Sequence, residues 1–271
     1  MPSESLQLSG AAFDEMAAAY DTSFTTTRLG SELRKMVWQR LALSLPERGR
    51  IIEIGCGTGE DAIRLAQRGY DVLATDASRR MLDIAREKAL RAGCRQRIEF
   101  AHLPMQQLAR ELEGERFDGV FSNFGVFNCT SAADELATDL ARLLQPGAAL
   151  TGVIMGRYVP WEWAWFLLRL DWRRAFRRLP RSGTLWRGLR IHYPTPKNFA
   201  KSLSPYFDQI SAHALGLVLP PSYASAWLNE RPRVFGMLAK LERAAHRHQS
   251  LAAIADHYII QAHRNSAQPD A

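Results

Sequence analysis

The chain has 271 residues, 46% of them hydrophobic, which is enough to build a core in one enlarged domain. No run of about 18 apolar residues occurs, which argues against a membrane-spanning helix, and no apolar leader of secretory type precedes the first polar segments. The net charge of +7 is confined to residues 157–190, where nine arginines meet only Glu162 and Asp171, so the remainder is neutral.

In chain order, residues 1–12 read as a loose tail and 13–271 as a single domain. Phe13–Phe24 contains AAAYDTSF, and Gly30–Ser44 has helical apolar spacing at Leu33, Val37, Trp38 and Leu41. Ile51–Ile54 is a short apolar strand that runs straight into a turn bearing Gly55, Gly57 and Gly59. Glu60–Arg68 returns to helical spacing, and a second strand, Asp71–Ala74, delivers Asp76 at its carboxyl end. Met81–Ala92 is a helix, Arg97–Ala101 a third strand, and Phe117–Asn123 a near-continuous apolar run typical of a buried parallel strand. A helix at Ala132–Leu144 should stop at Pro146–Gly147, with a fifth strand at Ala148–Gly156. Helix 195–203 and strand 207–217 resume the alternation, and Asp256–Ala262 is the last strand. Insertions interrupt this order at 157–193 and 218–255, the second helical over about 222–249. The pattern predicts an α/β fold with a doubly wound, mostly parallel seven-stranded sheet and helical caps after strand 5 and before the last strand.

The glycines allow a tight turn and close approach of a ligand to the backbone, where a Cβ would collide. Asp76, nineteen residues after Gly57, stands where a carboxylate can bind the two hydroxyls of a ribose. The spacing is G-x-G-x-G rather than the pyrophosphate-binding G-x-G-x-x-G, and Glu53 beside the turn suits a cationic amino-acid ligand better than a phosphate. Taken together, E-x-G-x-G-x-G, the following strand with its Asp, and the YD-x-x-F entry segment resemble the class I S-adenosylmethionine-dependent methyltransferases of small-molecule type.

The resemblance implies S-adenosylmethionine as cofactor. It implies Gly55, Cys56 and Gly57 along the methionine part, with Glu53 and Gly59 completing the loop and Tyr20 closing the site. Asp76 would bind the ribose, Ala77 and Met81 would flank the adenine, and Asn123 and Phe124 would sit beneath the sulfonium. Where this family often places an adenine-binding Asp after the third strand, the sequence has Phe100-Ala101-His102-Leu103-Pro104-Met105, so backbone groups of Pro104 and Met105 are expected to serve instead. Asp76 as a helix cap and Asn123 as a strand cap stay open as alternatives.

On the acceptor side, the fourth-strand segment Ser122-Asn123-Phe124-Gly125-Val126-Phe127-Asn128 lacks the Asn/Asp-Pro-Pro-aromatic motif of adenine- and glutamine-directed enzymes. Asn128 is a candidate for the acceptor pocket, or for stabilising its own loop. His192 and Tyr193 are candidate proton acceptors, a histidine near neutrality being suited to deprotonate a phenol or enol; His102 and His257 are further possibilities, His257 reading more simply as a packing residue. The three cysteines, Cys56, Cys94 and Cys129, fit no metal or redox spacing, so no metal site and a reduced, cytoplasmic setting are expected.

Five of the seven tryptophans fall in the first insertion. Between 161 and 179, arginines at 169, 173 and 177 and at 174 and 178 form files spaced by four, against Trp165, Leu168, Trp172, Phe176 and Leu179. This spacing predicts an amphipathic helix: a lid, a contact to lipid or the inner membrane face, or a nucleic-acid surface. The expected activity is methyl transfer to the oxygen or carbon of a small, apolar or lipid-like metabolite. The alternatives are an RNA methyltransferase using the arginine-rich insertion and a non-catalytic, membrane-associated binding protein.

Overall fold

A computed structural model describes residues 10–266 apart from Ser222, Ala224 and Arg247. Seven strands form one sheet in the order β3-β2-β1-β4-β5-β9-β8. They are β1 (Arg50–Ile54), β2 (Asp71–Asp76), β3 (Ile98–His102), β4 (Phe117–Ser122), β5 (Leu144–Met155), β8 (Phe207–Leu215) and β9 (His257–Arg264). The first five pair in parallel, and β9 runs antiparallel to both neighbours. Because β9 is reversed, its first residue, His257, emerges at the carboxyl edge of the parallel strands, the edge that carries the crevice in open α/β sheets. A short hairpin, β6 (Thr184–Trp186) with β7 (Leu189–Ile191), lies outside this sheet.

The strand period of two divides the core. Ile51, Val153 and Ile259 pack on one face with the helices Arg28–Ser44, Glu60–Gln67 and Arg79–Arg91. Ile52, Val120, Leu150 and Ile260 pack on the other with Ala133–Leu143 and Pro196–Leu203. Both faces of the central strands are covered, which is why β4 reads as continuous apolar sequence. Each fully buried branched or aromatic side chain here contributes about 1.5–3 kcal/mol.

Four sequence expectations change. Residues 1–9 of the expected tail lie outside the described residues, but 10–14 are helical and Ala12 is buried. The helix before β5 ends at Leu143, and β5 then runs through Pro146–Gly147. Gly147 adopts a left-handed φ of 78° at a place where pairing with β4 shifts register, so the strand bulges there and Pro146 does not end it. The amphipathic helix expected over 161–179 is two pieces, Pro160–Leu167 and Trp172–Ala175, joined through Leu170 at a φ of 57°. The second insertion splits into Ser225–Asn229 and Pro232–Ala245 because Pro232 can open a helix but not continue one. No helix among the described residues is long and apolar enough to cross a membrane.

Candidate active site

The glycine turn after β1 frames a cavity partly open to solvent. Gly55, Gly57 and Gly59 all have positive φ. A Cβ on Gly55 would come within 2.2 Å of Val126, whereas one on Gly57 would meet only the Tyr20 ring at 4.0 Å and so project into free space. Gly59 has a different use: a Cβ there would approach Ala85 to 2.7 Å, so its absence lets the helix Arg79–Arg91 close against the loop.

Asp76 ends β2 on the opposite wall. Its carboxylate accepts N–H bonds from Gly57 and Ser78, each 2.8 Å long. Burial raises its pKa above the ordinary carboxylate value, although these backbone donors oppose the shift. The carboxylate therefore fixes the loop while keeping lone pairs for a diol.

Of the thirteen residues assigned to the cofactor by resemblance, Tyr20, Gly55, Gly57, Asp76, Ala77, Met81, Met105, Asn123 and Phe124 line this cavity. Glu53, Cys56, Gly59 and Pro104 do not. For Glu53 the cause is strand alternation: it shares a face with Ile51 and points into the helix layer beside Arg34 and Asp61. Burial, followed by Asp61, holds its carboxyl well above the usual range despite Arg34, and one of its oxygens has no hydrogen-bond partner. The Cys56 thiol is likewise buried, its pKa pushed far up by burial and then by Asp76.

The structure adds residues that local sequence did not single out. The turn Met105–Gln107 adds Gln106 to the cavity lining, just after the third strand, where the family often places its adenine-binding Asp. Asp21, in the π-helical segment Asp21–Thr25, accepts from Thr58 of the glycine loop at 2.7 Å and from Lys88 at 3.0 Å, tying the entry segment to the loop. Burial pushes the neighbouring Tyr20 phenol up to about 12, with Arg34 opposing, so it stays protonated.

Beneath the cavity lies a buried polar network. Arg34 is ion-paired with Asp61, which also accepts from the Trp38 indole at 2.6 Å and the Asn123 amide at 2.9 Å. Asn123 in turn accepts the Phe124 N–H at 3.0 Å. Phe124 is thereby held at a φ of 49°, a costly conformation for an aromatic residue that suggests a fixed site requirement. Its ring meets Phe24 edge-on at 4.7 Å and His257 edge-on at 5.9 Å.

The candidate proton acceptors separate. Asn128 and His192 come together, but through backbone: the Asn128 amide donates to the carbonyls of His192 at 2.6 Å and Met155 at 3.2 Å and accepts from the Met155 N–H. Asn128 is fully buried and clips the end of β5 to the segment after β7. Tyr193 packs on the Arg178 guanidinium at 5.4 Å, and burial raises its pKa. Neither Asn128, His192 nor Tyr193 lines the cavity. His102 bonds to the Ala77 carbonyl at 2.9 Å. His257 lies against Phe124 with Asp256 3.1 Å from its Nδ1.

Arg178 ties the first insertion to the start of β9. It forms ion pairs with Glu162 at 2.7 Å and Asp256 at 2.8 Å and donates to the Gly156 carbonyl at 3.1 Å. Burial would raise the Asp256 pKa, but His257 and Arg178 overcome it and hold the carboxyl below the usual range. Trp186 of β6 packs on Phe13, a cavity-lining residue, at 5.4 Å.

A family model described as a methyltransferase domain matches residues 51–147. The chain is 32% identical over 105 residues to the tRNA 5-carboxymethoxyuridine methyltransferase of Escherichia coli, covering 37% of this chain and 40% of that protein. It is 34% identical over 143 residues to the demethylmenaquinone methyltransferase of Thermus thermophilus, covering 51% and 61%. The chain thus spans about half the length of the curated relatives it matches. The solved DhpI–SAH complex shares the fold with a TM-score of 0.61 at 14% identity, over 98% of this chain and 99% of that one.

Proposed function

Given a chain that carries a class I S-adenosylmethionine-dependent methyltransferase domain, we propose that it transfers a methyl group to the oxygen or carbon of a small, apolar or lipid-like acceptor. The observation that carries this reading is the cavity between the glycine turn, Asp76 and Phe124, with an aromatic wall on its open side. The residues fit the cofactor: Gly57 leaves space for it, Asp76 offers a ribose-binding carboxylate, and Ala77, Met81 and Met105 offer apolar walls for a purine. Gln106 is suited to hydrogen-bond the purine edge.

When bound, the cofactor supplies an activated methyl on a sulfonium, so the chain needs chiefly to align the acceptor and exclude water. Phe124, fixed by Asn123 and backed by Arg34, forms the floor. Tyr20 lines the cavity with Phe24 packed behind Phe124, and Phe13, backed by Trp186 of the first insertion, lines it as well. Catalysis then rests on placement rather than on a strong base. His192 is a weak candidate, since burial and then Arg190 lower its pKa and it lies outside the cavity lining. The demethylmenaquinone relative favours a greasy acceptor, and contact with the inner membrane face fits such a substrate. The tRNA relative and the arginines of the insertion favour RNA as second reading.

The test is to incubate the protein with methyl-labelled S-adenosylmethionine and cell extract, then separate organic-soluble, aqueous, RNA and protein fractions. Label in the organic phase is expected. Label in RNA would replace this reading with the second, and label nowhere despite cofactor binding would favour a non-catalytic binding protein.

A further inference from the structure

The break in the first insertion has a physical outcome that a continuous helix would not have. Pro160–Leu167 is anchored by Phe166, and Trp172–Ala175 by Ala175, both buried. Between them the chain reverses through a tight turn in which the Leu170 N–H bonds to the Leu167 carbonyl at 3.0 Å and the Asp171 N–H to the Phe166 carbonyl at 2.9 Å. Asp171 then caps the following turn through the Arg174 N–H at 3.0 Å. These bonds hold Leu170 in the left-handed region, where a leucine is rarely found. The result is three large apolar side chains thrust into solvent: Leu168 is 83% exposed, Leu170 81% and Trp172 67%.

The same tip is basic. Arg169, Arg173 and Arg174 are exposed on it, and Arg169 is stacked 3.8 Å over the Trp165 ring, which fixes its direction. The acids cancel only part of this charge: Glu162 is buried and taken up by Arg177 and Arg178, and Asp171 pairs with Arg174 at 3.4 Å, which leaves the tip a net cation. Apolar groups at the apex with cations around them match an anionic bilayer, which offers a hydrocarbon layer beneath a negative surface. A nucleic acid would reward the arginines but not Leu168 and Leu170. A stable protein partner needs roughly 800 Å² of surface on each side, more than a three-residue apex supplies.

We propose that residues 167–174 are a membrane-docking tip that inserts Leu168, Leu170 and Trp172 into an anionic lipid surface, with Arg169, Arg173 and Arg174 held at the headgroups. Its purpose rests on the lipid-like acceptor proposed above, because docking would bring the chain to the surface that holds such an acceptor. The docking itself rests on the exposed geometry alone.

The experiment is flotation of the full chain with vesicles of phosphatidylcholine alone or mixed with phosphatidylglycerol, at low and high salt. Binding to the mixed vesicles is expected, with a salt-resistant fraction. L168S/L170S/W172S should lower partitioning by about tenfold or more, and R173Q/R174Q should weaken the preference for anionic vesicles. Both variants should bind S-adenosylhomocysteine like the parent, which reports an intact domain. Lipids brominated in the acyl chain should quench the parent's emission more than that of W172F. That single conservative change serves if the triple variant fails to fold. No flotation of the parent, equal flotation of the triple variant, or equal quenching of W172F would overturn the proposal. Retention on RNA that depends on the arginines but not on the leucines would overturn it as well. None of these readouts uses methyl transfer, so a failure here leaves the proposed reaction standing, and a failure of that reaction leaves docking standing.

Discussion

Around the glycine turn, charged and polar side chains are neighbours in space because they follow strands that pair in the sheet: Asp76 after β2 bonds to Gly57 after β1, and Asn123 after β4 reaches Asp61. In the insertions the polar groups instead join added segments to the sheet. Arg178 meets Asp256 across 78 residues, and Glu242 reaches back 23–26 residues to accept the N–H groups of Gly216, Leu217, Val218 and Leu219 at 2.7–3.2 Å. The polar groups of the first region shape the cavity. Those of the second fasten the added segments. Substitutions in the two regions should therefore separate into ligand effects and stability effects.

The largest expected effect lies in the cavity. Gly57→Val places a branched side chain in the ligand space and strains a φ of 53°, so binding of S-adenosylhomocysteine should fall by more than about a hundredfold in calorimetry. Retained binding would mean that the cavity is not the cofactor site. Arg178→Ala tests the other region. Removing the buried guanidinium that joins Glu162 to Asp256 should cost about 3–5 kcal/mol in urea unfolding, with ligand affinity little changed. A large loss of affinity in the still-folded variant would erase the division between the regions.

Asp76→Ala should weaken ligand binding by about 1.5–3 kcal/mol, roughly ten- to a hundredfold, through lost charge-assisted hydrogen bonds. An unchanged dissociation constant would place the ribose elsewhere. The smallest effect concerns pH. His213 is held down to about 4 by burial, then by Arg40 and His246, against an ordinary value of 6.5. Between those values the unfolded chain binds the extra proton, so stability is full above about 6.5 and falls as pH drops toward about 4. His213→Asn should flatten that part of the stability curve, and an unaltered slope would assign the titration to another group.

The short expected strands and the sheet they form were legible because each rests on local spacing. Alternation fixes which residues face a layer, and three glycines followed by a strand and Asp76 fix the cradle within 26 residues. The same locality explains the misplacements. Glu53 was assigned to the ligand from its closeness in sequence to the turn, but strand alternation turns it toward Arg34. The helix over 161–179 followed from arginines spaced by four. In the folded chain Arg177 and Arg178 instead turn inward to Glu162, and the helix breaks.

What the sequence by itself determined was the parallel α/β core, the glycine cradle and Asp76, since backbone geometry and short-range periodicity dictate them. Only the tertiary structure decided that His257 meets Phe124, that Gln106 lines the cavity, and that Asn128 is a clip. It also decided that Leu168, Leu170 and Trp172 face outward. Each of these depends on where a distant segment packs, and the desolvation of a charge such as Arg178 is tolerable only when partners from elsewhere in the chain arrive to satisfy it.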